Sequence, residues 1–416
     1  MRGAQQRLAL ARDDAVHLRR RPLLRVARAD QPLDHGRGDL PRRHRHPDGP
    51  GAAEPLVRDV VIVSDLHLGA HDDSYYDDAF SRFVDQLHGS GADLLLLGDA
   101  LDFLEARPRA TGESKRIDTS EAAARTTLDW IGLRHAPFFA ALGRFAAEGR
   151  RVHVVPGNHD LELLRTSTQD RFRELVGAGG RSHPGSVTFH PWIFHVPGLL
   201  YAEHGHQYHD INAVNTLLWP EQPGRSDRLA LPIASYLAEG RLRFAVHAVR
   251  HAVTLSAPAL ARRRAEYRRV ALTSANAAVE LDATTLAALD RLSETNAVAI
   301  VRRLAGYARR GAAGAVTQRD DYLHRAATAI DRVLRGAGVA VPHLAFGHTH
   351  VAERFPVTSA AGGPEYLNCG TWSPFLPKGL HDEGGRLTFA RVSPADGARV
   401  LRWDDASGRP VELPGG

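Results

Sequence analysis

The sequence is poor in the residues and segments that mark several classes of protein. It contains one cysteine in 416 residues, Cys369, which excludes an internal disulfide and a thiolate metal cluster. No apolar run approaches the roughly 18 residues of a membrane-spanning helix, which excludes an integral membrane protein. With 43% hydrophobic and 24% charged residues, the chain can bury a large core, so we expect two domains or one core with an insertion.

Lysine is also scarce, and the excess positive charge lies at one end of the chain. Only Lys115 and Lys378 occur among 53 basic residues, a skew toward arginine that is typical of a GC-rich genome. Residues 1–50 carry twelve Arg and six Asp, so the rest of the chain has a net charge of −1 within the total of +5. Nucleic acid is therefore not an expected partner. We expect residues 1–56 to be a disordered tail or a misassigned N-terminal extension, with a basic binding arm as the alternative.

The organised part of the sequence opens with a strand–helix–strand rhythm. Short apolar runs at 59–63, 93–97 and 152–155 predict strands that are buried on both faces. Apolar residues at helical spacing separate them, including a long helical stretch at about 120–148. This rhythm predicts a layered α/β domain, in which ligands bind at the carboxyl ends of the strands.

The second half of the chain differs in composition. From about 224 to 340 it is rich in Ala, Arg and Leu, and one helix is well marked between a Thr317 cap and Gly336. We expect a domain formed by residues 57–223 and 341–416, interrupted by a helical insertion at 224–340 that could cap the site. Further short strands are predicted at about 188–189, 192–196, 199–202, 343–346, 353–357, 364–368, 387–392 and 398–402.

Polar residues cluster where the predicted strands end. These residues are carboxylates, imidazoles and one amide, a donor set that suits Mn, Fe, Zn, Co or Ni better than a closed structural zinc site. Each block alone is ordinary loop or turn chemistry, and the default for a lone His is a surface or hydrogen-bonded position. Five such blocks occur in order, each after an apolar run, and together they indicate a metal site. The blocks are Asp65-x-His67, Gly98-Asp99, Gly157-Asn158-His159-Asp160, His204-Gly205-His206 and Gly347-His348-Thr349-His350.

This ordered set resembles the calcineurin-like metallophosphoesterase superfamily over about residues 58–210 and 341–375. The resemblance implies an α/β fold, a four-layer α/β/β/α sandwich with a dinuclear metal centre between the strand-end loops. His159 matches the catalytic histidine of the family, and Asp160 its orienting carboxylate. By the same match, one ion would be held by Asp65, His67, Asp99 and His350, and the other by Asp99, Asn158, His204 and His348, with Asp99 bridging. The helical stretch between the last two His motifs is longer than in compact members.

The resemblance also implies the chemistry. It indicates a metal-dependent phosphoric ester hydrolase with two divalent ions, Mn being the expected metal and Fe, Zn, Co or Ni the alternatives. A phosphoester or pyrophosphate would be hydrolysed by metal-activated hydroxide, with His159 as the general acid that protonates the leaving alkoxide. Asn158 suits such a site because its neutral carbonyl limits the negative charge that faces an anionic phosphate.

The substrate is less well specified by these residues. The segments at 64–69 and 98–103 are most similar to the branch of UDP-2,3-diacylglucosamine pyrophosphatases, so we expect a phosphorylated small molecule or a lipid-linked substrate. A nuclease-type phosphodiesterase and a non-catalytic scaffold that retains the fold are the alternatives, and the complete ligand set argues against the scaffold. The sequence specifies no oligomeric state. We expect a cytoplasmic protein whose basic helical insertion could rest on the inner face of the membrane.

Overall fold

The computed structural model describes residues 58–112, 117–177, 186–209, 211–214, 221–222, 225–239, 280–292, 322–358, 362–375 and 385–413. The strands of these residues are β1 (Val60–Val63), β2 (Asp93–Leu97), β3 (Val152–Val155), β4 (Val187–Phe189), β5 (Phe194–Val196), β6 (Leu200–Ala202), β7 (Glu221–Gln222), β8 (Arg225–Leu229), β9 (His343–Phe346), β10 (Ala352–Pro356), β11 (Glu365–Cys369), β12 (Thr388–Ser393), β13 (Gly397–Asp404) and β14 (Arg409–Glu412). The α-helices are α1 (Ser74–Gln86), α2 (Phe103–Thr111), α3 (Glu121–Arg134), α4 (Ala136–Ala147), α5 (Thr166–Gly177), α6 (Ala283–Leu292) and α7 (Tyr322–Gly336).

Two sheets form the centre of the fold. The first has the order β14-β13-β12-β1-β2-β3-β4, in which β1 to β4 are parallel and β12 to β14 extend the sheet with antiparallel pairing. The second has the order β10-β11-β9-β6-β5, with β6, β9 and β11 parallel. Strands β7 and β8 form a separate antiparallel pair. The uninterrupted apolar runs of β1 and β2 are buried throughout, as expected of central strands in a parallel sheet.

The two sheets pack face to face, and helices cover their outer faces. Ile62 and Leu95 of the first sheet share an apolar cluster with Leu200 and Ala345 of the second, so this cluster lies between the sheets. The opposite face of the first sheet packs on α1, α3, α4 and α5, and the outer face of the second packs on α6 and α7. Because each sheet alternates its side chains between two faces, this gives the four layers α/β/β/α that the sequence predicts.

Of two predicted helices, one is divided in the structure and the other ends where the sequence predicts. The single stretch expected at about 120–148 is two helices, α3 and α4, which meet at His135. Pro137 explains the break, since proline lacks an N–H and is tolerated only in the first turn of a helix. Helix α7 ends at Gly336 as predicted, whereas the Thr317 cap lies outside the described residues.

The predicted helical insertion at 224–340 is described only in part. Within it, α7 and α6 pack against the second sheet, so this part is a layer of the sandwich. The insertion also contains a strand, β8, which pairs with β7, so it is not helical throughout. Residues 240–279 and 293–321 of the insertion and the N-terminal segment 1–56 lie outside the described residues. Among the helices that the structure describes, none is both long and apolar enough to cross a membrane.

Candidate metal centre

The predicted ligands lie on loops that leave the carboxyl ends of parallel strands. Strands β1, β2 and β3 pair in parallel in the first sheet, and β6 pairs in parallel with β9 in the second. Because parallel strands end at the same edge of a sheet, the loops that follow them lie side by side. These loops carry Asp65 and His67 after β1, Asp99 after β2, Asn158 after β3, His204 after β6, and His348 and His350 after β9.

Asp65, His67 and His350 form the first group, and their donor atoms all lie within 4.8 Å of one another. Asp65 Oδ2 accepts hydrogen bonds from the Ser64 hydroxyl at 2.5 Å and from the His348 N–H at 2.9 Å. Its Oδ1 faces His350 Nε2 at 3.2 Å and His67 Nε2 at 3.8 Å. One carboxylate oxygen and two imidazole nitrogens therefore converge in this group.

Asp99, His204 and His348 form the second group, with donor atoms within the same 4.8 Å limit. Asp99 Oδ1 accepts a hydrogen bond from the His159 N–H at 2.8 Å. Asp99 Oδ2 lies 3.2 Å from His204 Nε2 and 3.9 Å from His67 Nε2 of the first group. The Oδ2 atom thus faces both groups, as a bridging carboxylate must.

Three of the imidazole rings are oriented by a partner at Nδ1. His67 Nδ1 lies 3.0 Å from Asp102 Oδ2, His204 Nδ1 lies 2.9 Å from the Leu97 carbonyl, and His350 Nδ1 lies 2.7 Å from the Phe375 carbonyl. Since each of these partners accepts a hydrogen bond, Nδ1 carries a proton, and Nε2 is the nitrogen that remains for a metal ion. This is the arrangement in which a histidine ligand is held for a metal ion.

Buried polar atoms without a partner show that the residues fit a metal centre. Among the described residues, Asp65 Oδ1, Asn158 Oδ1 and His204 Nε2 are buried and have no hydrogen-bond partner. Burial of such atoms is unfavourable unless something else satisfies them, and a divalent cation would do so. Burial lowers the pKa of His204, but the charges of Asp99 and Asp65 outweigh it and raise this pKa to about 9. The site therefore favours positive charge.

The backbone at the candidate ligands is unusual. A positive φ is uncommon for residues other than glycine, although Asp and His tolerate it better than most. Five of the seven described non-glycine residues with positive φ are predicted ligands, namely Asp65 (56°), His67 (50°), Asp99 (51°), His348 (70°) and His350 (60°). Strained backbone of this kind concentrates at functional sites.

Two glycines allow the ligand loops to approach one another. A Cβ at Gly98 would overlap the His204 ring, and Gly98 itself has a φ of +83°. A Cβ at Gly347 would overlap the Ser64 hydroxyl and reach within 2.8 Å of Asp65 Oδ2. The Gly-Asp and Gly-His-Thr-His blocks therefore need their glycines for close contact between loops of the two sheets.

Comparison with protein families supports this interpretation of the site. Residues 59–241 match the family model of the calcineurin-like phosphoesterases. Residues 59–241 carry a calcineurin-like phosphoesterase domain. This domain indicates a metal-dependent phosphoric ester hydrolase, and the match covers all the candidate ligands except His348 and His350. No curated protein matches the chain, and nothing in the comparisons supports the branch of UDP-2,3-diacylglucosamine pyrophosphatases.

Next to the candidate ligands, the phosphoesterase domain places His159 against Asp102, not Asp160 as the sequence predicts. His159 Nδ1 lies 2.8 Å from Asp102 Oδ2, and the His159 ring meets the His67 ring edge-on at 4.7 Å between centroids. Asp160 is fully buried and accepts hydrogen bonds from the Gly157 N–H at 2.6 Å and the Ala100 N–H at 2.9 Å. Asp160 therefore joins two ligand loops, and Asp102 is the carboxylate that lies beside Nδ1 of His159.

Two further polar side chains of the phosphoesterase domain, outside the five motif blocks, contact the candidate site. Asn212 Nδ2 lies 3.2 Å from His348 Nε2, a contact made by a residue outside the five motif blocks. Asp102 lies three residues after Asp99 and caps α2 by accepting a hydrogen bond from the Glu105 N–H at 2.9 Å. From the sequence, an Asp at this spacing predicts an ordinary helix N-cap, and nothing in the pattern indicates its other contact, with His159.

Proposed function

We propose that this protein hydrolyses phosphoesters at a dinuclear metal centre held by the seven residues that the sequence predicts. Asp65, His67 and His350 would hold one ion. Asn158, His204 and His348 would hold the other, and Asp99 would contact both. The observation that carries the proposal is the position of Asp99 Oδ2, 3.2 Å from His204 Nε2 and 3.9 Å from His67 Nε2.

A bound pair of divalent ions would lower the pKa of water and offset charge on the phosphate oxygens. The chain itself supplies the rest of the chemistry. Asn158 adds a ligand oxygen without adding negative charge, which favours entry of an anionic phosphate. Asp102 holds Nδ1 of His159, so Nε2 is the atom that donates a proton to the leaving oxygen. The His159 side chain is 30% exposed and is therefore accessible to a substrate.

The proposal is tested with protein reconstituted with Mn²⁺ and assayed on p-nitrophenyl phosphate, its bis ester and a nucleotide-sugar pyrophosphate. The proposal predicts hydrolysis of at least one substrate, loss of activity with EDTA and recovery when Mn²⁺ is restored. The substrate preference separates a monoesterase, a diesterase of nuclease type and a pyrophosphatase. A protein that binds two ions and hydrolyses none of the three would contradict the proposal.

The role of His159 has a matched control in His88. The His88 side chain has nearly the same exposure, 31% against 30%, and also lies beside a carboxylate, but it is outside the site. His159→Ala should keep both ions and slow hydrolysis of alkyl esters about 10²–10⁴-fold. The defect should shrink for p-nitrophenyl esters, whose leaving group hardly needs a proton, and His88→Ala should match the parent. An equal defect for both kinds of ester would show that His159 binds phosphate instead.

A further inference from the structure

A buried histidine outside the metal centre connects one ligand loop to the helical layer. His135 lies where α3 meets α4 and is 2% exposed. Its Nδ1 lies 2.9 Å from Asp77 Oδ2 and 3.0 Å from Asp77 Oδ1, and Asp77 is a buried residue of α1. On the other side of the ring, the Gly69 N–H donates a hydrogen bond to His135 Nε2 at 3.0 Å.

The two partners fix the state of the His135 ring. Because Nε2 accepts a hydrogen bond from a backbone N–H, it carries no proton. Nδ1 must then carry the proton, which it donates to the Asp77 carboxylate. A ring with a proton on Nε2 would place two N–H groups against each other at Gly69. Asp77 therefore selects the tautomer that can hold the loop.

Gly69 is a sensitive point in the ligand loop, because it comes two residues after His67 and four after Asp65. The inner part of this loop is joined to its neighbour through the Asp65 N–H, which donates to the Gly98 carbonyl, and the His67 N–H, which donates to the Asp99 carbonyl. Those bonds tie one ligand loop to another. The bond from Gly69 to His135 ties the loop to the helical layer instead.

The room around Gly69 is too limited for the loop to shift freely. A Cβ at Gly69 would lie 2.8 Å from the Ala106 Cβ and 3.1 Å from Ile131 Cγ1, and the residue has a φ of +101°. Without His135, the Gly69 N–H would be left without its acceptor in this packed environment. The loop would then have to rearrange, and the candidate ligands Asp65 and His67 lie within it.

We propose that His135, held by Asp77, is a positioning residue that keeps Asp65 and His67 in their metal-binding conformation. This inference rests on the proposed function. It assigns the His135–Asp77 pair to the ion group of Asp65, His67 and His350, because the other group takes no ligand from the loop of Asp65 and His67. Loss of the pair therefore weakens one ion more than the other.

The experiment compares Mn²⁺ binding by the parent, His135→Ala, His135→Gln and His153→Ala, with each protein's melting temperature. His153 is a matched control, because it too is a buried histidine whose ring has a hydrogen-bond partner, in this case His190. It lies near the amino end of β3, whereas the candidate ligands follow the carboxyl ends of the strands. His135→Ala should weaken one of the two ions about 10–100-fold, the range seen when groups behind metal ligands are removed. His135→Gln should restore most of that affinity, because its amide can accept from Gly69 and donate to Asp77.

His153→Ala should lower the melting temperature and leave both ions bound as in the parent. If His135→Ala does not fold, Asp77→Asn gives the same test, since the amide no longer selects the tautomer of His135. The inference is overturned if the His135 variants bind both ions like the parent. It is also overturned if His153→Ala loses as much affinity at an equal loss of melting temperature. A parent protein that binds no pair of ions would instead overturn the proposed function.

Discussion

A buried pair of histidines should make the fold sensitive to acid. His153 of β3 and His190 after β4 are 8% and 7% exposed, and His153 Nδ1 lies 3.0 Å from His190 Nε2. Burial, with a smaller effect from the Arg151 charge, lowers the pKa of His153 to about 4. Burial and the neighbouring His153 lower the pKa of His190 to about 3. Among the described residues, the carboxylate nearest the pair is Asp93, whose Oδ2 lies 4.0 Å from His153 Nε2.

The sign and size of the effect follow from proton linkage. In the unfolded chain both rings titrate near pH 6.5, so below that pH the unfolded chain takes up protons that the folded pair does not. Stability is therefore complete above about pH 6.5 and falls as the pH drops toward 4 and then 3. With about 1.4 kcal/mol for each pH unit, lowering the pH from 7 to 5 removes about 2 kcal/mol for each ring. The pair accounts for about 4 kcal/mol, a large part of the 5–15 kcal/mol typical of a domain.

The assay is urea unfolding at pH 7 and pH 5, with EDTA in all samples so that metal release does not differ between them. The comparison is with a double variant, His153→Gln with His190→Gln, whose amides can bond to each other but do not titrate. Between the two pH values the parent should lose about 4 kcal/mol more of its free energy of unfolding than the variant. If the double variant does not fold, His190→Gln alone should show about half of that difference. Equal losses in parent and variant would refute the reasoning.

The other predictions concern the metal centre and the end of the chain. Asp99→Asn should weaken the binding of both ions, because an amide offers one good ligand oxygen, whereas His350→Ala should mainly release one ion. Metal analysis after mild chelation distinguishes the two variants. Two tightly held ions in Asp99→Asn would contradict the bridging role. Asp102→Asn should lower kcat for alkyl esters about 10²–10⁴-fold and should weaken the ion held by His67, whose Nδ1 also contacts Asp102; an unchanged kcat would remove Asp102 as the partner of His159. Deleting residues 1–56 should leave the melting temperature and hydrolysis of a small ester nearly unchanged, and loss of bound metal on deletion would show that this segment supports the site.

The ligand loops could be predicted because each follows a strand whose sequence is unmistakable. The runs before Asp65 and Asp99 are apolar at every or nearly every position, and the structure makes them β1 and β2, buried throughout. The strand predicted at 353–357 is β10 at Ala352–Pro356, an error of one residue. Hydrophobic periodicity locates elements well, and the polar residues after them then fall at one edge of the sheet.

What could not be predicted are contacts between residues that are distant in the chain. Asp77 and His135 are 58 residues apart, and each lies in or beside a helix where a lone polar residue reads as a surface position. The assignment of Asp160 to His159 failed for the opposite reason. His159 and Asp160 are adjacent in the sequence, which favoured a contact between their side chains, but the backbone directs Asp160 to the N–H groups of Gly157 and Ala100. Side-chain direction depends on the loop conformation, which sequence spacing does not fix.

The positive φ angles at Asp65, His67, Asp99, His348 and His350 have a consequence for engineering the protein. Left-handed backbone at a non-glycine residue disfavours the folded state by about 1–3 kcal/mol, and glycine would relieve it. A selection for heat resistance alone would therefore reward glycine at these five positions. Each such gain would remove a candidate metal donor, so thermostable variants chosen without an activity screen would lose the proposed metal centre.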